Sequence, residues 1–304
     1  MEVSPASPGE LGEQLADLIA TVTEKQGAPP FGEVLRAAMN DPDGGGLGYA
    51  ARSHGRLVSY AFAAANPDGR VWTLEVADGS GQQDRFLGDV VRGLDAAGIE
   101  ETVLWLHTPD VEPPPALFTH ERDLYRMGAT LPVPGIVGPP AGVRFAGFDV
   151  ERDAQALIEV NNRAFEGHPE QGEWSLQDLA RRTSLPWFDA RGVRTAWIDH
   201  RLVAFHWTKV HDTPAPDGGA LGEIYVLAVD PAFLGRGLGR AIALEGLDYL
   251  ARHRGATRAI LYVDSANIAA VNLYRRLGFA TEHTDRAYRR IRGGLPECRT
   301  PVVR

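Results

Sequence analysis

The sequence predicts an α/β protein of two tandem domains, each a central mixed β-sheet flanked by helices. Three observations carry this expectation. The chain has 304 residues, and single cores usually stop growing at roughly 250–300. The order helix, helix, strands, helix, strand is read once before the proline- and glycine-rich stretch Leu131 to Gly142 and starts again after it. His54–Phe62 (HGRLVSYAF) also echoes Asp199–Trp207 (DHRLVAFHW), as a duplication would.

In the first copy, Leu11 to Gln26 reads as an amphipathic helix with Leu11, Leu15, Leu18, Ile19 and Val22 on one face. Gly27-Ala28-Pro29-Pro30 stops it, and a short helix follows from Phe31 to Met39. Strands are expected at Gly48–Arg52, Leu57–Ala64 and Arg70–Val76, a helix at Asp84–Ala97 and a strand at Glu101–Leu106. Val111 to Pro115 is proline-rich and leads to an expected helix ending near Gly128. The boundaries that follow are 1–132 for the first domain, 133–142 for a linker that cannot continue an element, and 143–304 for the second domain.

In the second copy, helices are expected over 149–164 and Ser175–Thr183, then strands at 193–199 and 202–210. Ile224 to Val229 is a β-branched and aromatic run suited to a buried strand, which Asp230-Pro231 ends. Gly235, Gly237 and Gly239 then open a helix with Ala241, Leu244, Leu247 and Leu250 on one face. The strand Ala259–Asp264 precedes a last helix with Asn267 as N-cap, Ala270, Leu273 and Leu277 as core face and Gly278 as C-cap. A four-arginine run on the terminal strand, Arg286 to Arg292, is expected to be a solvated edge.

Composition narrows the function. A formal net charge of −9 argues against nonspecific nucleic-acid binding. The one cysteine, Cys298, excludes an intrachain disulfide, and His168, His206 and His211 lack metal-ligand spacing, so no metal is expected. No window is apolar enough to span a membrane and Met1–Glu10 does not read as a leader, so a cytoplasmic monomer is expected.

The stretch Gly222–Gly239 (GEIYVLAVDPAFLGRGLG) carries the chemistry. Amides at a helix start lack intrahelical partners and the helix dipole is positive there, so glycines at this turn suit a pyrophosphate. A dinucleotide fingerprint fails because Arg240 stands at its third glycine, and a P-loop fails because no lysine follows.

What the segment resembles is the acyl-CoA cradle of the GNAT acetyltransferase superfamily, with Leu234 at a position usually Gln or Arg. The later run Asn267–Phe279 (NIAAVNLYRRLGF) is similar to that superfamily's second motif. The resemblance implies acetyl-CoA contacts from Leu227, Ala228 and Val229 on the strand. It also implies them from Leu234, Gly235, Arg236, Gly237, Leu238, Gly239 and Arg240 in the turn and from Asn267, Ile268, Ala269, Ala270, Val271 and Asn272 at the last helix. In the first copy, aligning Asp78 with Asp230 puts Asp84 and Phe86 opposite Gly235 and Gly237. That cradle is therefore expected to be degenerate, repelling phosphate and blocking close approach.

Asn162–Gly172 (NRAFEGHPEQG) and Phe205–His211 (FHWTKVH), with the duplication, resemble the mycothiol synthase family within that superfamily. The resemblance implies N-acetylation of the cysteinyl amine of cysteinyl-glucosaminyl-inositol, with substrate contacts at Glu170, Lys209, Glu223 and Tyr262. Gln26 stands where the family has an acidic contact residue. Amide formation from a thioester needs a neutral amine and a protonated leaving thiol. Glu223 is the candidate to remove a proton and Tyr274 the candidate to supply one. Two other readings stay open: an acetyltransferase for an aminoglycoside or a protein N-terminus, and an acyl-CoA-binding protein without catalysis.

Overall fold

A computed structural model of the chain describes residues 2–41, 45–66, 69–108, 111–135, 138–167 and 171–293. The first half runs β1 (Glu2–Pro5), α1 (Pro8–Leu11), α2 (Glu13–Gln26), α3 (Glu33–Met39), β2 (Leu47–Ser53), β3 (Arg56–Ala65), β4 (Val71–Asp78), α4 (Gln83–Ala96), β5 (Glu101–Leu106) and β6 (Thr119–Thr130). The second runs β7 (Arg144–Gly147), α5 (Val150–Ala164), α6 (Leu176–Thr183), β8 (Val193–Ile198), β9 (Arg201–Val210), β10 (Ala220–Val229), α7 (Leu238–Arg254), β11 (Ala256–Asp264), α8 (Ile268–Arg276) and β12 (Ala280–Ile291).

Both copies have mixed sheets. β2, β3 and β4 are antiparallel neighbours and β4 pairs parallel with β5; β8, β9 and β10 are antiparallel and β10 pairs parallel with β11. Alternate residues of each sheet face opposite helical layers, as the two-residue strand period requires. In the first unit Ala61, Leu74 and Val76 pack with Phe86 and Val90 of α4, whereas Tyr60, Phe62 and Ala77 pack with Leu15, Leu18 and Leu35 of α2 and α3. In the second, α5 and α6 cover one face and α7 and α8 the other. The duplication reaches into the backbone: His54 (φ 49°) and Asp199 (φ 54°) hold matching positions in the two echoed hairpins, in a region non-glycine residues seldom adopt.

The compact units do not divide at 133–142. The first is Met1–Leu124 together with the chain from His283, and the second is Tyr125–Glu282, so β6 and β12 each run through a boundary. β12 pairs antiparallel with β5, from Arg286 opposite Leu106 to Ile291 opposite Glu101, and β6 neighbours β11. Each half of the sequence thus contributes part of its last strand to the other unit.

Three local expectations need correction. Residues 119–130 form a strand and not a helix, because their charges are satisfied from neighbouring strands: Glu121 bonds Arg289 and Glu282 lies 3.4 Å from Arg126. The arginines of β12 are not a solvated edge, since Arg290 is buried and donates to both oxygens of Asp95 at 2.7 and 2.8 Å. The first long helix breaks at Gly12 (φ 49°), leaving Leu11 in α1.

Candidate functional site

The site is built on the divergence of two strands. β10 pairs with β11 from Ala220 to Ile224, the latter opposite Leu261, yet β10 continues to Val229 and β11 to Asp264. A register shift between Ile224 and Val226 in the β9 pairing marks a bulge at Tyr225, which bends the strand at that point. Leu227, Ala228 and Val229 lie beyond the bulge and stay paired with His206, Phe205 and Ala204 of β9.

Asp230 fixes the turn that follows. Its buried carboxylate accepts from the Ala232 amide at 3.0 Å, from Arg201 at 2.7 Å and from Arg163 at 3.1 Å. Burial alone would raise this carboxyl, but those bonds and the two guanidiniums hold it below the usual carboxylate range.

Gly235 and Gly237 both have φ +76°, and a Cβ built on either would meet nothing within 4 Å. Gly237 is the N-cap of α7 and supplies no side-chain hydrogen bond, so the first amides of this helix remain available to an anion. Leu234, Arg236 and Arg240 are exposed around the opening, with the Arg236 guanidinium 5.1 Å from the Phe233 ring centroid, and Leu238 is buried. Gly239 is less demanding: an added Cβ would make ordinary contacts with Leu273 and Val229. At α8 the Asn267 side chain caps the Ala270 amide at 3.1 Å, as expected, and Asn267, Ile268, Ala269 and Asn272 are exposed. The buried face of α8 is Val271, Tyr274 and Leu277, with Ala270 and Leu273 only partly buried; Leu277 is its C-cap and Gly278 (φ 91°) follows.

The first copy's turn is closed differently. Asp78 accepts from the Ser80 amide and the Gly81 amide, both at 3.1 Å, and from the hydroxyls of Ser59 and Ser80. A carboxylate of the chain's own thus occupies amides of that turn. The alignment of Phe86 with Gly237 does not hold, because α4 starts after Gln82, and Phe86 lies one turn inside the helix with no exposure, filling the core. Asp84 is exposed in the first turn of α4.

On the sheet face covered by α5 and α6, Glu223 stands opposite Lys209 across β9 and β10, and both are buried. The Lys209 ammonium lies 5.2 Å from the Trp187 ring centroid, and Trp187 packs edge-on against Tyr225 at 4.8 Å. His211, two residues beyond Lys209 on the same face, places Nε2 2.7 Å from Glu223 Oε2. Tyr262 follows Ile260, the parallel partner of Glu223, on that face, and is 47 % exposed beyond the last paired residue. Lys209, Glu223 and Tyr262, widely separated in sequence, therefore share one face. The motif reading missed Tyr225 and the pairing of His211 with Glu223; the two-residue spacing of Lys209 and His211 signals a shared face, but only the register reveals what lies opposite.

Tyr274 is buried in the cluster beneath α7 with Ile224, Leu261 and Val271, its ring 6.0 Å from Phe279. Burial pushes its phenol well above the ordinary tyrosine value, so at neutral pH the hydroxyl stays protonated. Gln26 ends α2 in the first unit, half-buried beside Gly27. Glu170, His168 and Cys298 lie outside the described residues. Among the described residues no group of three or more His, Cys, Asp or Glu could hold a metal ion, and no helix is long and apolar enough to cross a membrane.

The arrangement can seat an anion at a helix start, hold an extended chain along a diverged strand and present a buried carboxylate nearby. Residues 154–279 match the model of the acetyltransferase (GNAT) family. Over 293 residues the chain is 39 % identical to the mycothiol acetyltransferase of Thermobispora bispora, covering 93 % of this chain and 97 % of the relative. The chain belongs to the mycothiol acetyltransferase family. Solved structures support the fold that this family membership implies. A GCN5-related N-acetyltransferase from Sphaerobacter thermophilus aligns over 97 % of both chains with a TM-score of 0.71 at 20 % identity. A tandem GNAT protein from the clavulanic acid biosynthesis pathway aligns over 97 % of this chain and 99 % of its own, with a TM-score of 0.65 at 18 % identity. The glycine cradle, the strand bulge and the α8 cap of this mycothiol acetyltransferase family member all fall within the matched residues 154–279.

Proposed function

We propose that the protein transfers the acetyl group of acetyl-CoA to the cysteinyl amine of cysteinyl-glucosaminyl-inositol, giving mycothiol and CoA. The observation that carries this reading is the buried Glu223 carboxylate on the strand that leads, past a bulge, into an open glycine cradle. The helix-start amides beside Gly237, with Arg236 and Arg240 at the rim, suit the pyrophosphate of CoA, and the diverged strand at Leu227–Val229 suits its amide-bearing arm. The start of α8, from Asn267 to Asn272, completes the donor site.

A cysteinyl α-amino group titrates near ~7–8, so part of it is protonated at neutral pH and cannot attack a thioester. Glu223 removes that proton. The free amine attacks the thioester carbonyl, the nitrogen of the tetrahedral intermediate sheds a second N–H proton, and the C–S bond breaks as the amide forms. Tyr274 gives its hydroxyl proton to the departing CoA thiolate and is restored by the second N–H proton that the nitrogen sheds. Lys209, in a mixed-charge setting beside Glu223, and Tyr262, exposed on the same face, bind the polyol part of the substrate, with Glu170 and Gln26 as further contacts. In the same reading the first copy's turn, whose amides Asp78 already holds, does not cradle the donor in this reaction.

The test compares kcat/KM for cysteinyl-glucosaminyl-inositol, for the same molecule lacking the cysteinyl group, and for an aminoglycoside. A preference of at least about a hundredfold for the first is expected, because buried polar groups that lose their partners discriminate strongly. An equal or better rate with the aminoglycoside would reassign the acceptor.

A further inference from the structure

We infer that His211 is a positioning and proton-relay residue for Glu223. This rests on the function proposed above, since it gives a further step to the same carboxylate. Glu223 is 7 % exposed, and once it has taken a proton from an amine it must lose that proton before the next turnover. A buried carboxylic acid beneath a bound polyol has poor access to water. His211 spans the gap: Nε2 is shielded from solvent 2.7 Å from Glu223 Oε2, while the side chain as a whole keeps 23 % exposure. The contact is out of line for a well-aligned hydrogen bond, as catalytic contacts often are before substrate binds. The backbone fixes the approach, because the His211 amide donates to Leu221 O at 2.9 Å and so holds β9 against β10 at this point.

The step balances with no added reactant. The O–H bond on Glu223 breaks, an N–H bond forms at Nε2 of the neutral imidazole, and Nδ1–H passes its proton to water. The carboxylate is restored and one proton per amide formed reaches solvent.

The test is steady-state amide formation by wild type, His211→Ala and His211→Asn, with and without added imidazole, identifying the product by mass so that acetylimidazole is not counted. In His211→Ala, kcat should fall by about 10–100-fold with the KM for acetyl-CoA within about twofold, and imidazole should recover part of kcat. His211→Asn fills the space and can still donate to Glu223 but cannot relay, so it should be slow and not rescued even if the alanine variant folds poorly. Full kcat in either folded variant, or a loss in His211→Ala that imidazole leaves unchanged, overturns the relay. Absence of amide formation by wild type overturns the proposed function, whereas an active wild type with indifferent variants overturns this inference alone.

Discussion

Glu223 and Lys209 are cross-strand neighbours on β10 and β9, and each is 7 % exposed. Both side chains are withdrawn from water on the strand pair that leads into the cradle. Glu223→Gln should therefore lower acetyl transfer by about 10²–10⁴-fold while leaving acetyl-CoA affinity unchanged, because the cradle is built elsewhere. The loss should be greatest below the amine pKa of about 7–8, where most of the amine needs deprotonation. Equal rates across that range would remove Glu223 as the base; a matching loss of acetyl-CoA affinity in calorimetry would make its role structural.

Tyr274→Phe removes one hydroxyl from a packed cluster and should leave the fold intact. Because burial keeps the phenol protonated throughout the working range, the expected ~10²–10⁴-fold loss in rate should not vary with pH, unlike that of Glu223→Gln. An acetyl thioester with a more acidic leaving thiol should recover part of it. Equal impairment with good and poor leaving groups would show that Tyr274 does not protonate the thiolate.

The two copies should respond oppositely to changes at their helix starts. Gly237→Phe places a side chain at φ +76° in the mouth of the cradle and should abolish acetyl-CoA binding and catalysis. Phe86→Ala should instead cost about 3–5 kcal/mol of stability, since Phe86 has no exposure and fills the first unit's core. Denaturation and calorimetry on both variants separate the outcomes, and catalysis surviving Gly237→Phe would show that the wrong turn has been assigned to the donor.

Most of the site was legible in the sequence because strand, turn and helix are adjacent along the chain. Gly235, Gly237 and the Asn267 cap needed only local reasoning. What failed depends on partners distant in sequence. Residues 119–130 follow a proline-rich stretch and run to Gly128, which suggests a helix, but their charges pair with Arg289 and Glu282, more than a hundred residues away. Phe86 was misplaced because the Asp78 turn is shorter than the Asp230 turn, and spacing alone does not reveal that a carboxylate has taken the turn's amides. The face of α8 was turned by one position, towards Val271 and Tyr274, because small residues flank both candidate stripes.

Two histidines should shape stability in opposite directions. His206, fully buried against α7 with Nδ1 3.2 Å from Ile242 O, is pushed down to about 4 by burial. Its unfolded form binds a proton near 6.5, so stability should rise between pH 4 and 6.5, by roughly 3 kcal/mol from this group. His107 contacts Asp285 at 2.8 Å and Glu75 at 3.3 Å. Burial opposes its charge, but the two carboxylates outweigh that and raise it to about 9. Its contribution should be complete below pH 6.5 and decline as pH rises through 9. Urea unfolding across pH checks both: His107→Gln should flatten the alkaline limb and His206→Gln the acid limb, and unchanged limbs would contradict the assignment.

The groove that holds His206 is made by Gly246, where a methyl group would overlap the imidazole. Gly246→Ala should destabilise the protein by about 1–3 kcal/mol, despite the better helix propensity of alanine, because the ring has no room to move. A neutral or stabilising result in urea unfolding would mean that α7 shifts freely over the sheet.

The most direct test of the whole account is product analysis after incubating the purified chain with acetyl-CoA and cysteinyl-glucosaminyl-inositol. The account predicts one acetyl group on the cysteinyl nitrogen, a free thiol on the product and one CoA thiol released per amide formed, all slowed together in Glu223→Gln. Acetyl-CoA bound without turnover, or acetyl found on sulfur or on a hydroxyl, would contradict it.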